Sequence, residues 1–283
     1  MAVSSRSDIL DCHIHLWDNE TYEYPFPPPE LKKICKPFFV QDLEEAMKCS
    51  PVRQALFVQV NQTYVETDLI LDIAKTNNTL VGVVGWVDLQ DPHLGSILEK
   101  YQKHPKFKGV RHIVEAEPDD WLARQEVQRG LGMLEKRGLT YDLLIRERHF
   151  KLAKEVVSKF PKLTFIVDHI AKPDIKGGQR VEEWKAGIAE LAKCPNVCCK
   201  ISGMITEADH EKWTVNDIIP FVKHVLSVFG VDRCMYGSDW PVCYLATDSY
   251  NVVYESCLQA LSHLSDDDKI KIFCTNATRI YNI

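Results

Sequence analysis

Ile9-Leu10-Asp11-Cys12-His13-Ile14-His15-Leu16-Trp17 (residues 9–17) opens as a short apolar run and ends on a pair of histidines. Such a run reads as a buried strand, and on a strand residues two apart point to the same side. His13 and His15 therefore present two imidazoles together, with Ile14 and Leu16 facing the other way. Two imidazoles at a strand end make half of a divalent-metal site, with zinc the first expectation. The same pair would also serve as hydrogen-bonded histidines in a polar pocket.

Outward from this stretch the chain repeats its first move. Seven more short apolar, β-branched runs follow: 54–60, 80–87, 109–113, 140–145, 163–168, 197–201 and 233–236. Between most of them lie stretches of helical period, namely 42–47, 64–75, 94–103, 125–137, 148–160, 181–192, 215–229 and 248–264. Gly138 and Gly230 stand where helix C-caps are expected. Strand–helix alternation means parallel strands joined by crossover helices. Eight units predict a (β/α)8 TIM barrel spanning residues 1–283 as one domain. A doubly wound open sheet is the rival, but no glycine-rich phosphate loop follows any strand.

Bulk properties narrow the function classes. The 283 residues carry a formal net charge of -6, with no basic stripe, so nucleic acid is not an expected partner. No apolar run reaches membrane-spanning length, and no secretory signal is visible in the polar residues 1–8. The ten cysteines include no CxxC pair, and several sit inside apolar runs, as core residues of a reduced cytoplasmic protein do. Asp266-Asp267-Asp268 reads as a helix start or a solvated turn. Oligomeric state leaves no mark in the sequence.

In a barrel of this kind, functional residues fall at the C-terminal ends of strands. Those positions hold His13 and His15, Arg111 and His112, Asp168 and His169, Lys200 and Ser202, and the run Gly237-Ser238-Asp239-Trp240-Pro241. His13, His15, His169 and Asp239 suit one Zn2+ with room for a water, whose proton Asp239 would take as general base. Neighbouring residues on a strand face opposite ways, so Arg111 and His169 are expected to enter the pocket rather than His112 and Asp168. Lys200 interrupts an apolar run and must be paired or meet a ligand. Arg111 and Lys200 would steady an oxyanion or an oxygen-rich substrate, and Glu207 would pair with one of them. Trp17, Trp86 and Trp240 are expected either to wall a sugar site or to pack the rim. The proline-rich aromatic loop 18–36 leaves the first strand beside them and offers the same choice.

Four segments in order, DCHIHLWD (11–18), DHIAKP (168–173), CKISGMITEAD (199–209) and YGSDWPV (236–242), resemble the amidohydrolase-related family of metal-dependent hydrolases and sugar lactonases. Residues 276–281 resemble that family's last helix. The resemblance covers nearly the whole chain. It implies a barrel hydrolase opening a lactone, of L-fucono- or L-rhamnono-lactone type, to the sugar acid in carbohydrate metabolism. By motif, His13 and His15 match the family's first-strand pair, His169 its mid-barrel histidine and Asp239 its last-strand aspartate. Lys200 stands where the wider superfamily often has another metal-binding histidine. That departure implies at most one metal, and some lactonase relatives work without one, using the histidines to bind substrate. A decarboxylase of an aromatic or unsaturated acid is the second enzyme reading, and a non-catalytic metabolite-binding barrel the third.

Overall fold

The computed structural model describes residues 9–283. Among them, eight strands form one parallel sheet in sequence order: β1 (Ile9–Ile14), β2 (Val52–Val58), β3 (Leu80–Gly85), β4 (Phe107–His112), β5 (Thr140–Leu143), β6 (Phe165–Val167), β7 (Val197–Ile201) and β8 (Cys234–Tyr236). Helices α1 (Val40–Met47), α2 (Tyr64–Thr76), α3 (Leu94–Gln102), α4 (Gln125–Arg137), α5 (Phe150–Lys159), α6 (Val181–Ala192), α7 (Val215–Phe229) and α8 (Tyr250–Ala260) alternate with the strands. The expected TIM barrel is the observed fold. Gly138 closes α4 in the left-handed conformation, φ 65° and ψ 26°. Ser265 caps a short α9 (Asp266–Ile270), whose first turn holds the three aspartates where the helix dipole favours them.

Closure comes from beyond the end of β8. Ile14 bridges Trp240 in parallel register, and the His15 N–H donates to the Trp240 carbonyl at 2.7 Å. Buried Asp11 stitches the same seam. Its carboxylate accepts from the backbone N–H groups of His13 (3.0 Å) and Ser238 (2.9 Å) and from the Tyr250 hydroxyl (2.7 Å).

The interior is layered. Leu10, Cys12, Val58, Val84, Ile166 and Met235 form an apolar floor with Ala277 and Tyr281 of α10 (Asn276–Tyr281), which plugs the bottom. Ile14 and Leu16 belong instead to the larger core between strands and helices. A register irregularity between Asp11 and Ile14 changes the phase of β1, so that apolar Leu10 and Cys12 face inward below and the histidines face inward above. Each fully buried aliphatic or aromatic side chain contributes on the order of 1.5–3 kcal/mol. The two apolar layers thus carry the stability, and the charged layer above the floor has another purpose.

Candidate active site

The charged layer is built from the strand ends. His13, on β1, lies between two groups of neighbours. Its Nδ1 is 3.2 Å from Lys200 Nζ and 3.3 Å from Asp168 Oδ1. Its Nε2 is 3.2 Å from His15 Nε2 and 3.3 Å from Arg111 Nη1. Lys200 on β7 is fully buried, with Nζ 2.5 Å from Asp142 Oδ2 and 3.1 Å from Asp168 Oδ1. Burial works against its charge, but the two carboxylates outweigh it and raise its pKa. Arg111 on β4 donates through Nε to Gln59 Oε1 (2.7 Å) and through Nη1 to Asp168 Oδ2 (3.1 Å).

Asp168 and His169 both enter the cluster, against the expectation that only one would. The chain leaves strand geometry after Val167, and His169, Ile170, Ala171 and Lys172 all adopt positive φ between 48° and 59°. Alternation cannot describe a run of left-handed residues. At Arg111 and His112 the rule holds. His112 turns away to stack on Trp121 at 4.1 Å and to meet Glu117 at 2.9 Å.

Asp239 follows β8 with φ 61°. Its Oδ1 is 3.2 Å from His15 Nε2, 3.8 Å from His169 Nε2 and 3.9 Å from His13 Nε2. Burial would raise its pKa, yet His169 and the contact with His15 hold it below the ordinary carboxylate range. Burial pushes His13 and His15 down and brings His169 to about 4, so the three rings are neutral at pH 7.

The donor set fits one divalent ion. His15 Nδ1 lies 2.7 Å from the Val58 carbonyl and must donate to it, which leaves Nε2 of a neutral ring without a proton. That bare nitrogen faces the Asp239 carboxylate oxygen at 3.2 Å, so two lone pairs meet there with no proton between them. Tetrahedral zinc sets its donor atoms about 3.3 Å apart, close to the 3.2–3.9 Å found here. His13, His169 and Asp239 by themselves offer ligand atoms within 4.8 Å of one another. The Arg111 guanidinium competes with a metal for the His13 lone pair.

Above the cluster opens a cavity of about 290 Å3 whose wall includes His15, Arg111, His169 and Asp239. Phe26, from the proline-rich loop, forms part of it. Lys200 lies beneath this cavity rather than in its wall. Trp17, Trp86 and Trp240 are not in the wall either. Their place is rim packing. The Trp17 indole N–H donates to the Lys36 carbonyl (2.7 Å), that of Trp86 to His112 Nδ1 (3.1 Å), and Trp240 packs edge-on against Phe38. Glu207 pairs with Arg146 at 3.2 Å, not with Lys200 or Arg111. Sequence reasoning missed Asp142, Asp11 and Gln59, whose importance lies in which side chains they meet across the barrel. It also missed Lys172 and Glu115 in the cavity wall, although Lys172 stood inside the quoted DHIAKP segment.

Eight strands closing over three imidazoles and a carboxylate define an amidohydrolase-type barrel. Residues 10–283 match the Amidohydrolase family model (Amidohydro_2), and the chain belongs to that family. It is 33% identical to an L-fucono-1,5-lactonase from Burkholderia ambifaria over 97% of this chain and 95% of the relative. To an L-fucono-1,5-lactonase from Burkholderia multivorans it is 28% identical over 96% and 95% of the two chains. The crystal structure of a zinc-bound amidohydrolase from Burkholderia multivorans superimposes with a TM-score of 0.93 at 28% identity, over 98% of this chain and 100% of that one.

Proposed function

We propose that this protein is a lactonase that opens a sugar lactone, of L-fucono- or L-rhamnono-lactone type, to the corresponding sugar acid. The observation that carries the reading is the buried Asp239 carboxylate with three imidazole nitrogens 3.2–3.9 Å from its Oδ1 at the mouth of the barrel. The relatives named L-fucono-1,5-lactonase support the choice of substrate. A cavity near 290 Å3 is at the small end of ligand pockets and admits one sugar ring.

The reaction follows from the groups present. The lactone carbonyl docks beside the histidines, with the remaining N–H of Arg111 orienting the carbonyl oxygen and countering its developing charge. Asp239 takes a proton from water as that water attacks the carbonyl carbon. The tetrahedral adduct collapses with cleavage of the ring C–O bond, and Asp239 returns its proton to the departing alkoxide, directly or by way of His169. The Ser202 hydroxyl, 2.9 Å from His169 Nδ1, holds that ring in place. Lys200 acts from below, through His13 and Asp168. His13, His15, His169 and Asp239 would hold a divalent ion, with zinc the first choice. Such an ion supplies Lewis-acid polarisation of the carbonyl and a more acidic water.

The decarboxylase alternative needs a cation free to clamp a carboxylate. Arg111 gives four of its five N–H groups to Gln59, Asp168 and His13, and the one left can meet a carbonyl oxygen but cannot make a two-pronged clamp on a carboxylate. The test is a pH-indicator assay over a panel of aldonolactones, with and without chelator, beside metal analysis of the purified protein. Acid release from a neutral sugar lactone, with about one divalent ion per chain, is the expected result. No acid release from any lactone, with no metal, would turn the reading to a metabolite-binding barrel. Acid release that survives chelation would leave the histidines as substrate-binding groups and the metal dispensable.

A further inference from the structure

Four consecutive strand–helix loops send charged side chains to one side of the cavity, and nothing in the hydrolytic scheme uses them. Glu115 follows β4, Arg146 follows β5, Lys172 follows β6 and Glu207 follows β7. They form a continuous chain of ion pairs. Lys172 Nζ is 2.5 Å from Glu115 Oε1, Arg146 Nε is 3.0 Å from Glu115 Oε2, and Arg146 Nη1 is 3.2 Å from Glu207 Oε2. Arg146 Nη1 also donates to the Lys172 carbonyl at 3.3 Å. Glu115, Lys172 and Glu207 line the same cavity as His169 and Asp239. The two glutamate side chains are 18% and 17% exposed, open enough to meet a ligand and too enclosed to be ordinary surface charge.

We propose that Glu115 and Glu207, fixed by Arg146 and Lys172, are specificity-determining residues that accept hydrogen bonds from ring hydroxyls and exclude any lactone carrying its own carboxylate. The inference rests on the lactonase reading and names the charge state of its substrate. An ionised carboxylate is acceptor-only, with about four lone-pair directions. Each oxygen of the two glutamates accepts one bond within the wall, from Lys172 or Arg146, and keeps capacity for more. A polyhydroxylated ring supplies the matching O–H donors. A ligand carboxylate supplies only further acceptors, and it would face Glu115, Glu207 and Asp239. Lys172, Arg146 and Arg111 are each already paired with a carboxylate of the protein, so a ligand anion would meet no cation whose charge is not already balanced. Desolvating such a ligand without a counter-charge is unfavourable, and like charges nearby make it worse.

Binding is measured by competition with two non-hydrolysable rings, a neutral 1,5-anhydrohexitol and the same ring bearing a carboxylate at C6. The wild-type chain and the variants Glu115→Gln and Glu207→Gln are compared. The wild type is expected to prefer the neutral ring by roughly tenfold to a hundredfold, the range of one to two lost charged contacts. In at least one variant that ratio should fall by about threefold or more, through tighter binding of the acid. Equal binding of the two rings by the wild type overturns the proposal. So does a ratio unchanged in both variants while circular dichroism shows them folded, since that marks the wall as a tie between loops. If neither variant folds, the wild-type ratio alone decides. The readout needs no turnover: a silent lactone panel sinks the lactonase reading, whereas the ring preference sinks or sustains this one.

Discussion

The backbone N–H of Asp239 donates to the carbonyl oxygen of His13 at 2.9 Å. That one bond belongs to both the fold and the site. It continues the ladder between the first and last strands where β8 itself has stopped, and it brings the carboxylate of the closing segment beside the imidazoles of the opening one. The left-handed backbone at Asp239 aims the side chain inward, a conformation that Asp tolerates better than most residues.

Replacing Asp239 by Asn removes the base and keeps the shape. The expected loss in kcat is about 10^2–10^4-fold, the usual worth of a positioned general base, with a melting temperature within a few degrees of wild type. Turnover near wild type would take Asp239 out of that role.

Lys200→Met should cost folding stability, not merely substrate affinity. From sequence, this lysine was expected to steady an oxyanion or an oxygen-rich substrate. In the structure its ammonium is buried between Asp142 and Asp168. Removing one partner of a buried ion pair leaves uncompensated charge, typically at about 3–5 kcal/mol. Denaturant unfolding measures it, and a change under about 1 kcal/mol would show that the carboxylates find other partners or protonate cheaply.

Gly203→Ala should disable the site through His169. Gly203 has φ 64°, and an added Cβ would stand 2.6 Å from His169 Nδ1, where the ring meets Ser202. The expected outcome is a drop in kcat of about tenfold or more, since misplacing a reacting group by an ångström costs up to about a hundredfold, together with a lower melting temperature. Unchanged kinetics would mean that His169 need not hold its position.

Glu66 gives a pH dependence whose sign can be worked out. Its buried carboxyl, which accepts the N–H groups of Val60 and Asn61 at 2.9 Å each, is raised by burial from 4.5 to about 8. The folded chain therefore keeps this proton where the unfolded chain has released it. Its contribution to stability is complete below pH 4.5 and is lost as pH rises through 8. Glu66→Gln cannot titrate, so the melting temperature of the wild type should fall relative to that of the variant as pH rises across this window. A constant difference between the two would refute the assignment.

The barrel was legible because each strand announces itself in few residues, and because parallel strands demand crossovers that read as helices. His13, His15, His169 and Asp239 were legible for a related reason: strand ends can be located, and their residue types are rare in apolar runs. What stayed hidden depends on partners. Asp142 is an ordinary polar residue in Thr140-Tyr141-Asp142-Leu143 until Lys200, 58 positions later, lies 2.5 Å away. Asp168 was set aside by an alternation rule that the left-handed run 169–172 suspends. Arg146 claims Glu207, which looked free to meet Lys200 or Arg111. The tryptophans flank strand ends in sequence, yet their indole N–H groups and faces are used at the rim.

Tyr281 donates its hydroxyl to Asp142 at 2.9 Å, and its ring lies 5.5 Å from the Lys200 ammonium. Made in order on the ribosome, the chain completes every strand well before α10 appears. Without that helix, Asp142 would lose its Tyr281 partner, and the ion cluster below the histidines would lose the apolar cover of Ala277 and Tyr281. Competence at the mouth is therefore conferred from the opposite end of the barrel, by a side chain that comes after every strand in the sequence.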